Sequence, residues 1–521
     1  MQTYSISKED TTLIKGLAIF CIVMHNFFHW MPPSPGENEF LFDERLIQNF
    51  FSLLTSKPSE IINILFSYLG HYGVQIFIFI SGVGLTYSMK KNERSWGNFM
   101  GYRLKKLYPL LLTGIIVFFI STILTTKSLV TKLEWHELTY KMLFLHTLLP
   151  NSGLKVVGPW WFFGLIMQLY LLFSFLYKFI EKYNWRALIA LCIISYGCFF
   201  ISHTYFHELR DISLMQNAPG HLPEFCFGIW FAQNRDKKIP ILWLFISIAL
   251  FVLGNFFQVC FPFTFISVTI IFLFAYPYLK KLICWKQNYL QSFFLFLGNL
   301  SMIIFVVHTI FRPPFIDTFS SYHNAGISLL AGVLFFVTII GIALTSKKIY
   351  DNLSFLFNKI TFKKQSRFLE NTILLFVVIF FCYIMFYYMM VKFSNHKEII
   401  EPQYSFQQNF VTEKEAYTSI AKYTITDKPY KTCTDIEFDY VNETDNKPIL
   451  VFSIPGRVWQ KYFLEKGVKN QDGSYHYTIH YRYIRPFIQW GNSLELSIYL
   501  WNYNHSVGEI KNTSVTVYNE K

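Results

Sequence analysis

Long apolar blocks alternate with short, polar and mostly basic connectors over the first three-quarters of the chain. The blocks run close to the ~20 residues that carry a helix across a bilayer. Eleven spans are predicted, at 11–31, 63–88, 107–125, 159–180, 187–206, 220–234, 240–259, 262–281, 289–311, 326–346 and 371–392. The block at 220–234 is short and interrupted by His221, Pro223 and Glu224, the pattern of a half-buried or broken helix lining a cavity. Residues 138–150 are apolar but too short to cross, which predicts an interfacial or re-entrant piece. After Lys392 the pattern changes. Residues 448–455, 475–485 and 494–503 alternate or cluster β-branched and aromatic side chains, with Asp472-Gly473 and Gly491-Asn492 as turn signals. The expected architecture is an all-α polytopic membrane domain of about eleven helices followed by a small all-β extracytoplasmic domain. Its boundaries are 1–370 for the transmembrane domain, 371–392 for an additional helix and 393–521 for the β-rich domain.

Composition agrees. Of 521 residues 53% are hydrophobic and 15% charged, below the roughly 25% charged residues usual in soluble domains. With a cytoplasmic N-terminus, the inside segments are 90–106, 181–186, 234–238, 280–286 and 346–367, nearly all rich in Lys and Arg, while the acidic stretch 36–45 falls outside. An odd span count puts the C-terminal domain outside, in a multi-pass protein of the cell (inner) membrane. The formal charge of +13 is thereby assigned to topology and not to nucleic acid, because the cations are dispersed over short loops. The first block is too long for a cleaved signal peptide and lacks a small-residue cleavage site, so it is expected to remain as the first helix. Cys433 is the lone cysteine of the C-terminal domain and no Cys-x-x-Cys pair occurs, which excludes a disulfide within that domain and argues against a thiolate metal site. Gly-rich phosphate loops, His-Glu-x-x-His and Gly-x-Ser-x-Gly are absent, and no metal is expected.

Chemistry concentrates in the first span, which carries Lys15 at one end and His25 and His29 at the other. Ionisable groups inside a membrane helix are costly and mark functional candidates. His25 and His29 are four apart and share one helix face. Ten residues of helix set His25 ~15 Å deeper than Lys15.

Six ordered landmarks then resemble one family, the membrane-bound acyltransferase-3 proteins that acylate sugars. They are Lys15-Gly16-Leu17-Ala18 with His25; Gly73-Val74-Gln75-Ile76-Phe77-Ile78-Phe79-Ile80-Ser81-Gly82; Tyr102-Arg103-Leu104-Lys105-Lys106-Leu107-Tyr108-Pro109; Trp160-Trp161-Phe162-Phe163-Gly164 with Gln168 and Tyr170; Leu222-Pro223-Glu224-Phe225 with Gly228; and Leu297-Gly298-Asn299-Leu300-Ser301 with His308. The resemblance covers roughly 8–346 and implies transfer of an acyl group, most simply acetyl from cytoplasmic acetyl-CoA, to a hydroxyl of a cell-surface or lipid-linked glycan. Departures are specific. Lys15 replaces the usual Arg, at a spacing of ten to the histidine where relatives have eleven. Ile166 and Met167 stand where many relatives have a Trp-x-Leu-Ser-x-Glu motif, which removes an acid there. The C-terminal domain lacks the Gly-Asp-Ser nucleophile found in many relatives.

An alcohol needs a base near pH 7 to attack a thioester, and histidine meets that need. His25 is the candidate base, with Gln168 to orient groups and His308 as a second buried polar group. Coenzyme A carries phosphates, so Lys15, Arg103 and Lys105 are the candidate donor-binding cations; Lys106 is the weaker neighbour. His29, Ser81, Trp161 and Tyr170 complete the list. Each has an ordinary reading: bilayer anchoring for Trp161 and Tyr170, back-bonding to its own helix for Ser81, topology for the loop cations. His71, His146 and His221 read as interfacial. Two other functions compete: a transporter or flippase for a glycan or lipid-linked substrate, against which no inverted repeat is seen, and a membrane-anchored glycan-binding protein, which leaves Lys15, His25 and Gln168 without purpose.

Overall fold

The computed structural model describes residues 6–126, 132–149, 152–205, 212–234, 239–284, 289–322, 324–359, 397–405, 409–411, 417–426, 431–442, 448–454, 458–464, 467–484, 493–502 and 507–520. They form two compact units, one helical and one all-β.

The helical unit contains α1 (Lys8–Phe28), α2 (Glu44–Ser56), α3 (Ile61–Leu69), α4 (Gly73–Lys91), α5 (Trp96–Thr126), α6 (Lys132–Met142), α7 (Trp161–Tyr183), α8 (Trp185–Tyr205), α9 (Ala218–Gln233), α10 (Leu242–Phe256), α11 (Thr264–Ile283), α12 (Tyr289–Val307), α13 (Arg312–Phe319) and α14 (Ala325–Lys359). Among the described residues seven helical stretches are long and apolar enough to span a membrane, and Trp185–Phe200 and Leu242–Phe256 are shorter apolar helices. The chain is a multi-pass membrane protein. The seven and the two shorter ones coincide with nine of the eleven expected spans. The segment expected at 220–234 is the 16-residue α9, helical through Pro223. Pro223 has no N–H for the carbonyl of Pro219 four residues back, and the Ser195 hydroxyl donates to that carbonyl instead. The span expected at 371–392 lies outside the described residues.

Helix α1 starts in a capping box: Ser7 Oγ accepts from the Asp10 N–H at 3.0 Å and the Asp10 carboxylate accepts from the Ser7 N–H at 2.9 Å. The same carboxylate ties α1 to α11 through Lys280 at 2.8 Å and the Tyr276 hydroxyl. Two glycine pairs bring helix backbones together. A methyl on Gly16 would sit 1.9 Å from the Phe294 carbonyl oxygen, and one on Gly298 1.9 Å from that of Thr12, so α1 and α12 touch only because both residues lack a side chain. Gly82 and Gly228 do the same for α4 and α9, with 2.5 and 2.2 Å to the facing carbonyl oxygens. The glycines of four landmark motifs are therefore packing devices, and they hold fixed the helices that carry the polar residues beside them.

The β unit contains β1 (Lys397–Ile400), β2 (Pro402–Ser405), β3 (Asn409–Val411), β4 (Tyr417–Thr426), β5 (Lys431–Asn442), β6 (Ile449–Ile454), β7 (Val458–Phe463), β8 (Val468–Lys469), β9 (Tyr475–Ile484), β10 (Ser493–Trp501) and β11 (Gly508–Glu520). One sheet has the order β1-β11-β5-β9-β8 with β3 also on β11, and the other β2-β4-β10-β6-β7. Phe438, Tyr440, Tyr477 and Tyr481 from the first sheet and Phe452, Leu496 and Ile498 from the second form one buried core, the alternation that the sequence shows at 475–485 and 494–503. The expected turn at Asp472-Gly473 joins β8 to β9, with Gly473 at φ +85°.

Candidate active site

His25 sits on the last turn of α1, buried, its Nδ1 donating toward the carbonyl oxygens of Phe66 at 3.2 Å and Ser67 at 3.1 Å on α3. Carbonyls only accept, so these partners place the proton on Nδ1 and leave the lone pair on Nε2. No hydrogen bond among the described residues engages that Nε2. The close approach depends on Gly70, where a methyl would lie 2.6 Å from the Cβ of His25. Two more imidazoles flank it, His29 and His71, each with its ring centre 5.6 Å from that of His25. His29 is the C-cap of α1 and pairs through Nδ1 with Glu37 of the following loop. His71 is 1% exposed, and neither ring nitrogen meets a well-formed hydrogen-bond partner. His308, just past α12, is also buried; its Nδ1 is 2.8 Å from the Phe305 carbonyl and its Nε2 has no partner. Arg312 brings the start of α13 against α1, donating to the Asn26 carbonyl at 3.2 Å with its guanidinium 4.7 Å above the Trp30 ring. His25, His29 and Glu37 offer ligand atoms within 4.8 Å of one another, a set that could hold a transition-metal ion.

A cationic cluster gathers near the other end of α1, with Lys15 from that helix and Arg103 and Lys106 from α5. Lys15 is half-buried and faces the positive charges of Lys106 and Arg103. The Arg103 guanidinium lies among three rings, 5.1 Å from Phe99, 5.3 Å from Tyr102 and 5.4 Å from Tyr170. Tyr102 also carries Lys106 at 4.6 Å and Arg94 at 4.6 Å. Aromatic faces attract cations without neutralising them, and neither Lys15 nor Arg103 forms an ion pair with a carboxylate among the described residues. Converging charge held in this way suits a polyanion. Lys105 is half-buried on α5 and Lys106 exposed.

The remaining expected residues fall elsewhere. The Gln168 amide donates to Asn217 Oδ1 at 2.7 Å and Thr147 Oγ1 at 3.1 Å, and its oxygen accepts from the Ala218 N–H at 2.9 Å. It clamps the start of α9 and makes no hydrogen bond to His25. Ser81 back-bonds to the Phe77 carbonyl at 2.7 Å. Trp161 is buried, stacked on His221 with ring centres 5.7 Å apart. Tyr170 belongs to the Arg103 cage. His71, His146 and His221 are all buried within the protein; His146 Nε2 meets the Trp160 carbonyl at 3.1 Å, and His221 pairs with Glu224 at 2.6 Å.

Residues 10–346, about two-thirds of the chain, match the family model described as an acyltransferase domain, acyltransferase-3. The chain belongs to the acyltransferase-3 family. Comparisons with curated proteins and with solved structures returned no match. The acyltransferase-3 domain contains every residue of both clusters, and the match ends within α14, ahead of the β unit. Glu37, His71 and Arg312 are the members that sequence reasoning missed. Glu37 and Arg312 lie at a loop and a helix start, where no periodicity directs a side chain; His71 stands two residues before the Gly73 motif, a signal that proximity to a landmark could have raised.

Proposed function

We propose that this membrane acyltransferase is an O-acetyltransferase that moves an acetyl group from cytoplasmic acetyl-CoA to a hydroxyl of a cell-surface or lipid-linked glycan. One observation carries the reading: a buried imidazole, His25, with Nδ1 fixed by backbone carbonyls and Nε2 left open, on the helix whose other end brings Lys15 near the aromatic-caged Arg103 of α5. In this reading the acceptor hydroxyl gives its proton to His25 Nε2 while its oxygen attacks the thioester carbonyl. The C–S bond of the tetrahedral intermediate then breaks, and the imidazolium returns the proton to the coenzyme A sulfur. Lys15, Arg103 and Lys105 would hold the donor phosphates. His308 would serve as a second polar group toward the reacting atoms, and Gln168 acts at one remove by fixing α9. The proposal places the protein in the cell (inner) membrane, N-terminus cytoplasmic and β unit extracytoplasmic, so that donor and acceptor meet within the bilayer.

Mass spectrometry of surface glycans from cells with and without the protein tests this. Loss of acetyl groups on deletion is the expected result. Unchanged acetylation with an altered amount of glycan would replace the enzyme by the transporter.

A further inference from the structure

Between α1, α4, α7 and α12 lies a small gap lined only by Ile22, Val74, Phe77, Phe162, Met302 and Phe305, with about 10 Å³ of free space. Its position is tied to the imidazole cluster through the sequence. Ile22 precedes His25 by three residues, Val74 follows His71 by three, and Phe305 precedes His308 by three. The gap is therefore about one helical turn, some 5 Å along α1, from the candidate base, and seven residues or ~10 Å from Lys15. We propose that this gap seats the acyl group of the donor and restricts it to acetyl. The inference rests on the reading of the α1 end as the transfer centre, and adds a seat for the acetyl group that the reading names.

The argument is one of chemistry and of volume. No polar atom lines the gap, so a methyl entering it strands no hydrogen-bonding group, whereas water there would have no partners. A donor anchored by its phosphates near Lys15 reaches toward His25 along α1 and passes this level. A cavity volume of about 10 Å³ is at the lower limit for one water-sized group, which a methyl fills. Longer chains must displace Phe162, Phe305 or Ile22, all at most 5% exposed and fixed in the packed core, and packed cores resist added methylenes. Met302 is the half-buried, flexible member of the lining.

The test uses the purified full-length protein in detergent, with acetyl-, propionyl-, butyryl- and octanoyl-CoA as donors and release of free coenzyme A as readout. The proposal expects kcat/KM to fall by roughly 10- to 200-fold for each added methylene, and Phe305→Ala or Met302→Ala to move the optimum to propionyl or butyryl. Ile22→Val, a smaller change, serves if Phe305→Ala does not fold, and it should reduce the penalty on propionyl. Equal use of butyryl and acetyl by the unaltered protein overturns the proposal and leaves the transferase reading intact. So does an unchanged chain-length preference in folded, enlarged variants. Failure of every acyl-CoA to donate removes the reading and the proposal together.

Discussion

Among the described residues of the helical unit, two histidine–carboxylate arrangements, His221–Glu224 fully buried and His29–Glu37 half-buried beside the buried His25, differ in what their nitrogens do. His221 is closed: Nδ1 meets Glu224 at 2.6 Å, Nε2 meets the Met215 carbonyl at 2.7 Å, and the ring is stacked against Trp161 and Phe265. The cluster at the end of α1 is open, with one nitrogen of His308 unpartnered, neither nitrogen of His71 in a well-formed hydrogen bond and His25 Nε2 unengaged. A buried polar group with all its bonds made contributes to folding; one left unmade costs stability, about 1–3 kcal/mol per group, and persists where function requires it. Composition does not distinguish the two sites. The imidazole nitrogens do, although Glu224 Oε2 beside His221 is also buried without a partner.

The largest effect belongs to the open site. His25→Ala should lower acyl transfer by roughly 10²- to 10⁴-fold while leaving abundance and thermal stability close to the parent, measured on detergent-purified protein matched for folded amount. His29→Ala removes a neighbour and not the base, so it should retain most of the activity. A well-folded His25→Ala protein with near-normal turnover would return the histidine to a packing role.

The closed site should behave in the opposite way. His221→Phe leaves Glu224, which is fully buried, without its partner, and breaking a buried pair costs about 3–5 kcal/mol. Low abundance and a lowered melting temperature are expected, with normal turnover per folded molecule. A stable, inactive His221→Phe protein would shift the active centre to α9 and end the contrast drawn here.

Fold was more legible in the sequence than site. Spans came from continuous apolar runs, which burial in lipid or protein both demand, and strands such as β9 from period-two alternation. The base candidate was readable because an ionisable group inside a span stands out. Gln168 stood out for the same reason, yet its partners, Thr147 and Asn217, lie 21 and 49 residues away, and only their positions show the amide to be committed elsewhere. Glu37 reads as topology in the sequence and becomes the partner of His29 once the loop after α1 folds back. The glycines of the landmark motifs were visible, but their purpose depended on which helix each faced.

The β unit supplies the weakest case and the smallest effect. His476 and Asp439 face each other across β9 and β5 at 2.8 Å, with the imidazole 40% exposed. The Asn512 amide donates to the Asp439 carboxylate at 2.7 Å, and with His476 and Asn470 it holds that carboxyl below its ordinary range. Exposed pairs of this kind contribute roughly 0–1 kcal/mol, far less than the buried pair on α9. A carboxyl with a lowered folded value contributes its stability in full above the unfolded value, near pH 4, and loses it as pH falls through the folded value. Hydrogen exchange of β5 and β9 in the full-length protein should therefore be steady from pH 7 to about 5, after correction for the intrinsic rate, and lose protection below about 4. Asp439→Asn should remove a small part of that protection at neutral pH and flatten its acid dependence. Loss as large as that of His221→Phe would show that exposure is not what separates the two pairs.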